Sequence, residues 1–173
     1  VGGRFGLSSK NTTPSDIFGV YSMLMSTPKN NFTIGIQDDV MHTSIKAKSN
    51  YQIDLHDQDI KIYGYGSDGM VSASKDIMHI IGEKKYVQGY FEYDSKKSGG
   101  VTVSHLRLSD SKINAPYYVM NANIIVVTKD EYFNLYHCLD NIKENGTLLI
   151  NTNDTAKCLS KICKEDLDII KNK

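Results

Sequence analysis

The stretch that most constrains the fold runs from Lys61 to Lys75, with the sequence KIYGYGSDGMVSASK. An apolar strand pattern over Ile62–Tyr65 is followed by a glycine-rich turn, Gly66–Gly69. Apolar residues then recur at the three- and four-residue intervals of a helix face, namely Met70, Ala73, Ile77 and Ile81. Gly82 follows, where a left-handed helix end would cost least. The spacing therefore predicts a strand, a tight turn and a helix in immediate succession.

A strand, a glycine turn and a helix N-terminus can form a cradle for a phosphate or a carboxylate. Unpaired main-chain N–H groups and the positive end of the helix dipole point at the same spot, and glycine lets a ligand approach the backbone. The same spacing also fits a plain strand-to-helix connection in which glycine serves only the backbone angles. This turn alone leaves both interpretations open.

The bulk composition excludes several classes of protein. The chain has 173 residues with 20 basic and 20 acidic side chains, which suits one domain or one domain plus part of another. This neutral balance argues against nucleic-acid binding, and no apolar run approaches the roughly 20 residues of a membrane span. Cys138, Cys158 and Cys163 lack CxxC spacing, which favours reduced structural thiols in a cytosolic setting. Because the chain begins at Val1, we expect it to be cut from a longer one.

The N-terminal third predicts part of a separate α/β unit. Thr13 can cap a helix, Pro14 suits its first position and Asp16 suits the helix dipole. The buried face of this helix is expected at Ile17, Val20, Tyr21 and Leu24. Phe32–Ile36 predicts a strand, and a polar, irregular stretch up to about Asp59 predicts a boundary. We therefore expect residues 1–55 and 56–173 to belong to different domains.

From residue 56 onward, apolar strands alternate with helix patterns, which predicts an α/β fold with a largely parallel sheet and flanking helices. Tyr86–Tyr93 and Val101–Leu108 flank a short turn and predict a hairpin. Ala122–Thr128 is apolar and β-branched, as in a strand buried on both faces. Thr128 and Glu131 have capping-box spacing, which predicts a helix reaching about Leu139.

The hairpin turn Asp94–Gly100 is the second candidate for ligand binding. Lys96 and Lys97 could supply positive charge to a phosphate, with Ser95 and Ser98 as hydrogen-bond donors. A solvated hairpin loop has the same composition, so this alternative also stays open. Ligands in open α/β sheets bind at the carboxyl ends of strands, and both turns follow strands. The two turns would form one site if they lie at the same edge of the sheet.

The remaining polar residues predict no catalytic centre and no metal site. His105 and Arg107 share one face of a strand and could bind an anion or move a proton, or could simply be paired structural residues. The other histidines lack Cys, Asp or Glu partners at metal-site spacing; they are His42, His56, His79 and His137. No Ser/His/Asp set, Walker loop or complete GxGxxG motif is present in the sequence.

Four collinear motifs between Val1 and about Ile150 resemble pyruvate:ferredoxin (flavodoxin) oxidoreductases. They are GGRFGLSSK at 2–10 with Thr13-Pro14, FTIGIQDDV at 32–40, GSDG at 66–69, and QGYFEYDSKKSGGVTVSHLR at 88–107. The resemblance implies that residues 1–55 are the end of a transketolase-C-terminal-like domain plus a linker. It implies that residues 56–173 are the gamma, or catalytic, domain of 2-oxoacid oxidoreductases, with a Rossmann-like sheet.

The resemblance also implies a parent enzyme, an oxidoreductase of anaerobic metabolism. Such enzymes decarboxylate pyruvate on thiamine diphosphate with Mg²⁺, pass electrons through [4Fe-4S] iron–sulfur clusters to ferredoxin or flavodoxin, and transfer the acetyl group to coenzyme A. The thiamine, magnesium and cluster sites would lie outside this chain, and the full-length enzyme would be a homodimer. We expect a cytoplasmic protein, or one of a hydrogenosome or other organelle in a protist, without nucleic-acid or membrane partners.

The part of the enzyme that the chain represents is thought to contact coenzyme A. The resemblance places the phosphates of coenzyme A on Gly66, Ser67, Asp68, Gly69 and Met70, with charge from Lys96 and with Lys97 as the alternative. The family usually continues the GSDG motif with TVGANK, whereas this chain has Met70-Val-Ser-Ala-Ser-Lys75. Met70 has no hydroxyl group, so we expect weaker coenzyme A binding. Two alternatives are a structural scaffold without a ligand, and the same domain fused to a flavoprotein reductase, as in pyruvate:NADP oxidoreductase.

Overall fold

The computed structural model describes residues 1–6, 8–36, 39–47, 51, 53, 58–94 and 100–172. The chain forms two compact units, one of Val1–Leu55 with Ala115–Tyr118 and one of His56–Asn114 with Val119–Lys173. The return of Ala115–Tyr118 to the first unit is not evident from the sequence. Within that unit the Tyr118 amide donates to the carbonyl of Lys10 at 3.0 Å. The assignment of the units to the end of a transketolase-C-terminal-like domain and to a gamma domain stays a prediction.

The first unit is a small parallel sheet with one helix. Its strands are β1 (Gly3–Phe5), β2 (Phe32–Ile34) and β3 (Ser44–Ile45), hydrogen-bonded in that order. Helix α1 (Pro14–Ser26) connects β1 to β2. Thr13 and Asp16 form a capping box, because each side chain accepts a hydrogen bond from the main-chain amide of the other. The predicted start of this helix is confirmed.

The predicted buried face of α1 is wrong except at Val20, which is partly buried. Ile17, Tyr21 and Leu24 are exposed, whereas Asp16 and Gly19 are buried. A Cβ atom at Gly19 would lie 2.9 Å from the carbonyl oxygen of Lys46, so the missing side chain lets the helix approach the backbone that follows β3. Close backbone packing through glycine, rather than the apolar spacing, selects the face that α1 turns inward.

The second unit contains a five-stranded sheet. Its strands are β4 (Gln58–Tyr65), β5 (Tyr86–Tyr93), β6 (Val101–Ser109), β7 (Ala122–Val127) and β8 (Ile142–Ile150). The order across the sheet is β5-β6-β4-β7-β8. Strand β6 is antiparallel to both of its neighbours, and the β4–β7 and β7–β8 pairs are parallel. All described strands of this sheet except β6 thus point the same way, which confirms the α/β fold with a largely parallel sheet and the hairpin of β5 and β6.

The described part of this unit contains three α-helices: α2 (Met70–Gly82), α3 (Thr155–Lys161) and α4 (Lys164–Asn172). The start of α2 is as predicted, but its end is not left-handed, because Gly82 is still helical and Glu83 follows with φ −66°. The helix predicted from Thr128 to Leu139 is wrong, since only a 3-10 segment, Asp130–Asn134, forms there. The Thr128 hydroxyl donates to the carbonyl of Tyr63 instead of capping a helix.

The core packs against the sheet face that carries Tyr63, Ile125 and Val127. Ile125 and Val127 are fully buried, as are Leu139 and Cys158 from the segments that cover this face. Burying a large aliphatic side chain stabilises a fold by about 1.5–3 kcal/mol. This buried core therefore holds the sheet in place, and the sheet in turn positions the turns at its edges.

Gly64 sets how closely α2 approaches β4. A Cβ atom at this position would lie 2.9 Å from the Cβ atom of Met70. We expect Gly64→Ala to lower the free energy of unfolding by about 1–3 kcal/mol, because the first turn of α2 must shift. Urea denaturation measures the change. Gly82→Ala, at the exposed end of the same helix, is the matched control and should stay within about 1 kcal/mol of the parent. Equal stability of the two variants would contradict this packing argument.

Candidate functional site

The turn between β4 and α2 has an unusual backbone. Ser67 and Gly69 both have left-handed angles, with φ 74° and φ 84°. The Asp68 amide donates to the carbonyl of Tyr65 at 3.0 Å, which closes the turn. A Cβ atom at Gly69 would meet no heavy atom within 4 Å. The turn therefore leaves open space directly in front of the α2 N-terminus.

The Asp68 side chain organises this turn from inside. Its carboxylate accepts hydrogen bonds from the amide of Met70 at 2.9 Å and from the amide of Tyr65 at 2.6 Å. The first hydrogen bond of α2 runs from Ala73 to the carbonyl of Gly69, so the amides of Val71 and Ser72 precede it. An anion at this end of the helix would meet those two amides, because the Met70 amide is engaged by Asp68.

The second candidate turn lies beside the first. The Gly66 amide donates to the carbonyl of Gly100 at 3.2 Å, and Tyr65 pairs with Val101 in the sheet. The end of the Asp94–Gly100 turn is thus in direct contact with the glycine turn at the same edge of the sheet. Lys96 and Lys97 lie outside the described residues, so their side chains are placed by the sequence only.

The chain reverses its direction of travel across the sheet beside these turns. From β4 it continues through α2 to β5 on one side, and from β7 it continues to β8 on the other. The carboxyl ends of β4 and β7 therefore flank a topological switch point, where open α/β sheets bind their ligands. Asp68 follows β4 there, and Thr128 and Lys129 follow β7.

Sequence reasoning missed Lys129. Its Nζ lies 4.2 Å from the centroid of the Tyr65 ring, and the side chain is exposed. The Thr128 hydroxyl is 3.5 Å from the Asp68 carboxylate, which ties this segment to the glycine turn. The one feature of the sequence that could have indicated Lys129 was its position just after a buried strand. Lys129 adds positive charge to an edge where the sequence indicated only Lys96 or Lys97.

A second polar region lies in a cleft of about 610 Å³ on the core side of the sheet. Lys61, Glu92 and His105 line it together with several tyrosines. His105 Nε2 lies 3.3 Å from Glu92 Oε2, and this contact holds the pKa of Glu92 below its usual value. Burial lowers the pKa of both His105 and Lys61. Burial in this cleft thus disfavours the charged forms of both side chains.

His105 and Arg107 do not act as a pair open to an anion. Arg107 Nε lies 3.3 Å from the carboxylate of Asp59, and Nη1 donates to the Gln88 side chain at 2.9 Å. Of the two interpretations of these residues, the geometry favours paired structural residues. Just as Asp59 lies beside Arg107, the carboxylate of Glu92 lies beside His105.

Comparison with known proteins decides the family. The family described as pyruvate ferredoxin/flavodoxin oxidoreductase matches residues 59–170. The chain belongs to this family. It is 45% identical over 163 residues to the pyruvate:ferredoxin oxidoreductase of Moorella thermoacetica, a match that covers 91% of this chain and 14% of that protein. A pyruvate-flavodoxin oxidoreductase of Klebsiella pneumoniae is 45% identical over 156 residues, covering 87% of this chain and 13% of that protein.

A solved structure supports the fold of this family member. The PORC subunit of pyruvate oxidoreductase from Thermotoga maritima superposes with a TM-score of 0.51 at 26% identity, covering 61% of this chain and 56% of that one. The chain spans about one seventh of the length of the curated relatives. Within the described residues, no helix combines the length and apolar character needed to cross a membrane.

We expect Asp68→Ala to loosen the glycine turn of this family member. The amides of Tyr65 and Met70 would lose their carboxylate partner, and the free energy of unfolding should fall by about 1 kcal/mol. Hydrogen exchange at these two amides should become faster. Asp76→Ala, which removes an exposed carboxylate from the middle of α2, is the matched control. Unchanged exchange at Tyr65 and Met70 would show that Asp68 does not organise the turn.

Proposed function

We propose that this chain is part of a pyruvate:ferredoxin (flavodoxin) oxidoreductase. Such an enzyme oxidatively decarboxylates pyruvate to acetyl-coenzyme A and CO₂ and passes the electrons to ferredoxin or flavodoxin. Identity of about 45% to proteins with these names supports the proposal. The chain covers a small share of them, so it contributes one part of the reaction. We propose that this part is contact with coenzyme A.

The observation that carries this proposal is the hydrogen bond from Gly66 to Gly100. A phosphate site at this edge needs the glycine turn and the lysine-bearing hairpin turn to lie close together, and this hydrogen bond joins their ends. Their contact at the switch-point edge is what a phosphate site requires, since amides and cations then approach the same anion. In the proposed site the amides of Val71 and Ser72 face the phosphates of coenzyme A, and Lys96 and Lys129 supply charge.

Asp68 has a supporting role in this proposal. Its carboxylate is committed to the amides of Tyr65 and Met70, so it shapes the turn rather than receiving the ligand. Gly69 leaves room for the ligand to reach the main chain, and Gly66 and Ser67 form the rest of the turn beside the ligand. The site thus uses backbone geometry and lysine charge to hold a phosphate.

The remaining cofactors and partners belong to other parts of the proposed enzyme. Thiamine diphosphate, Mg²⁺ and [4Fe-4S] clusters would bind outside this chain, and ferredoxin or flavodoxin would dock there. We propose a homodimer at full length and a cytoplasmic location, or an organelle such as the hydrogenosome in a protist. The chain would turn over no substrate by itself.

One comparison favours a second electron acceptor. The chain is 40% identical over 157 residues to a pyruvate dehydrogenase [NADP(+)] of Cryptosporidium parvum, covering 87% of this chain and 8% of that protein. The same domain therefore occurs in a relative named for NADP(+). Assay of the full-length enzyme with ferredoxin and with NADP⁺ distinguishes the two, since each acceptor would depend on parts outside this chain.

The first test is calorimetric titration of the chain with coenzyme A. Lys96→Ala should weaken binding about tenfold, because a charge-assisted hydrogen bond contributes about 1.5–3 kcal/mol. Lys84→Ala, at the far end of α2, removes the same charge away from the site and should leave the affinity unchanged. Equal loss in both variants would point to general charge attraction and contradict the site. If neither the chain nor the full-length enzyme binds coenzyme A at this site, the scaffold alternative is favoured.

Met70 tests the departure from the usual family sequence. Met70→Thr restores a hydroxyl group at the first residue of α2, where it can donate to a phosphate oxygen. One added neutral hydrogen bond contributes about 1 kcal/mol, so the dissociation constant for coenzyme A should fall about fivefold. Met70→Val, which is similar in shape to threonine without the hydroxyl, is the control. Equal affinity of the Thr and Val variants would contradict phosphate contact at this position.

A further inference from the structure

Three polar side chains converge between the 3-10 segment and helix α4, away from the glycine turn. His137 and Asp140 lie in the stretch that leads into β8, and Asp166 lies in the first turn of α4. One nitrogen of His137 and one oxygen from each carboxylate lie within 4.8 Å of one another. The sequence did not indicate this group, because Asp166 lies 26 residues after Asp140 and 29 after His137, and only the fold brings them together.

Asp166 is the exceptional member. It is fully buried, and neither of its carboxylate oxygens makes a hydrogen bond of good geometry within the described residues, although the Leu139 main chain lies close enough to lower its pKa. A buried carboxylate without hydrogen bonds is costly unless a cation compensates it. Asp140 and Glu165 add negative charge nearby, whereas His137 is the group that favours the ionised form through its charge. Because water is excluded from Asp166 and further donor groups lie close to it, a cation bound here would compensate its charge.

The neighbours of His137 extend the same set of donors. Cys163 Sγ lies 3.7 Å from His137 Nδ1, and His137, Cys163 and Glu165 form a second group with donor atoms within 4.8 Å. Imidazole nitrogen, carboxylate oxygen and thiolate sulfur are the ligands that Zn²⁺ takes in proteins. Magnesium, in contrast, prefers oxygen ligands and keeps several waters.

We propose that His137, Asp140 and Asp166 bind a divalent transition-metal ion of the zinc class. At metal–ligand distances of about 2.0–2.2 Å, tetrahedral ligand atoms lie about 3.3–3.6 Å apart. His137 and Asp140 are exposed, so their side chains can rotate inward from the present separation of up to 4.8 Å to that of a tetrahedral site. Buried Asp166 fixes the position of the ion. Water or the Cys163 thiolate completes the coordination. The ion joins α4 to the segment before β8 and so stabilises the C-terminal part of this unit.

The test uses the 173-residue chain purified without a histidine tag and stripped with chelator. Zn²⁺ is added, free metal is removed, and bound zinc is measured by mass spectrometry together with the melting temperature. His137→Ala changes an exposed side chain, so the variant should fold, and Asp166→Asn removes the buried charge. The matched controls are His79→Ala and Asp168→Asn, which alter an exposed histidine on α2 and an exposed carboxylate on α4.

We expect one zinc ion per chain and a higher melting temperature with zinc in the parent and both controls. His137→Ala and Asp166→Asn should each weaken zinc binding at least about tenfold, and excess Mg²⁺ should not displace the ion. Failure of the parent chain to retain zinc would overturn the proposal. Undiminished binding in folded His137→Ala would overturn it as well, as would equal loss in the control variants.

Discussion

The pairing of β4 with β6 is the constraint on which the rest of this unit depends. Eight residue pairs join the strands, and the ladder ends with Tyr65 opposite Val101. The next residues out, Gly66 and Gly100, are therefore neighbours, and their hydrogen bond continues the pairing into the two turns. A slip of one residue would turn Lys61 from the polar cleft toward the opposite face of the sheet. One register thus sets both the edge that carries the candidate site and the polar face beneath it.

At that edge the chain supplies its own carboxylate to the start of α2. Asp68 takes the amides of Tyr65 and Met70, which holds the strained turn in one conformation. This arrangement reduces the number of amides available to an external anion and adds a negative charge beside them. An incoming phosphate therefore depends on the amides just beyond Met70 and on nearby lysines. Lys129, held over the Tyr65 ring, lies on the side of the switch point opposite the hairpin turn.

Local signals in the sequence were sufficient for part of this structure. The helix start at Thr13 and the strand Tyr86–Tyr93 follow from neighbouring residues alone, and both form as predicted. The sequence failed where a distant group competes: the Thr128 hydroxyl bonds to the carbonyl of Tyr63, 65 residues away, and no α-helix starts there. The glycine turn was visible as a motif. The local hydrogen bonds of the Asp68 carboxylate need the left-handed backbone of the folded turn, and Lys129 reaches the turn only through the pairing of the strands. Asp166 is an ordinary helix residue in the sequence, and only the fold shows that it is fully buried.

The most direct test of the site compares coenzyme A with pantetheine, which lacks its phosphates, in ¹H–¹⁵N spectra of the isotopically labelled chain. If the phosphates bind at the glycine turn, coenzyme A will shift the amide signals of Gly69, Val71, Ser72 and Gly100, and pantetheine will leave them in place. The Met70 amide, engaged by Asp68, will move less than that of Ser72. Equal shifts with both ligands, or shifts confined to the cleft around Lys61 and His105, would show that the phosphates bind elsewhere.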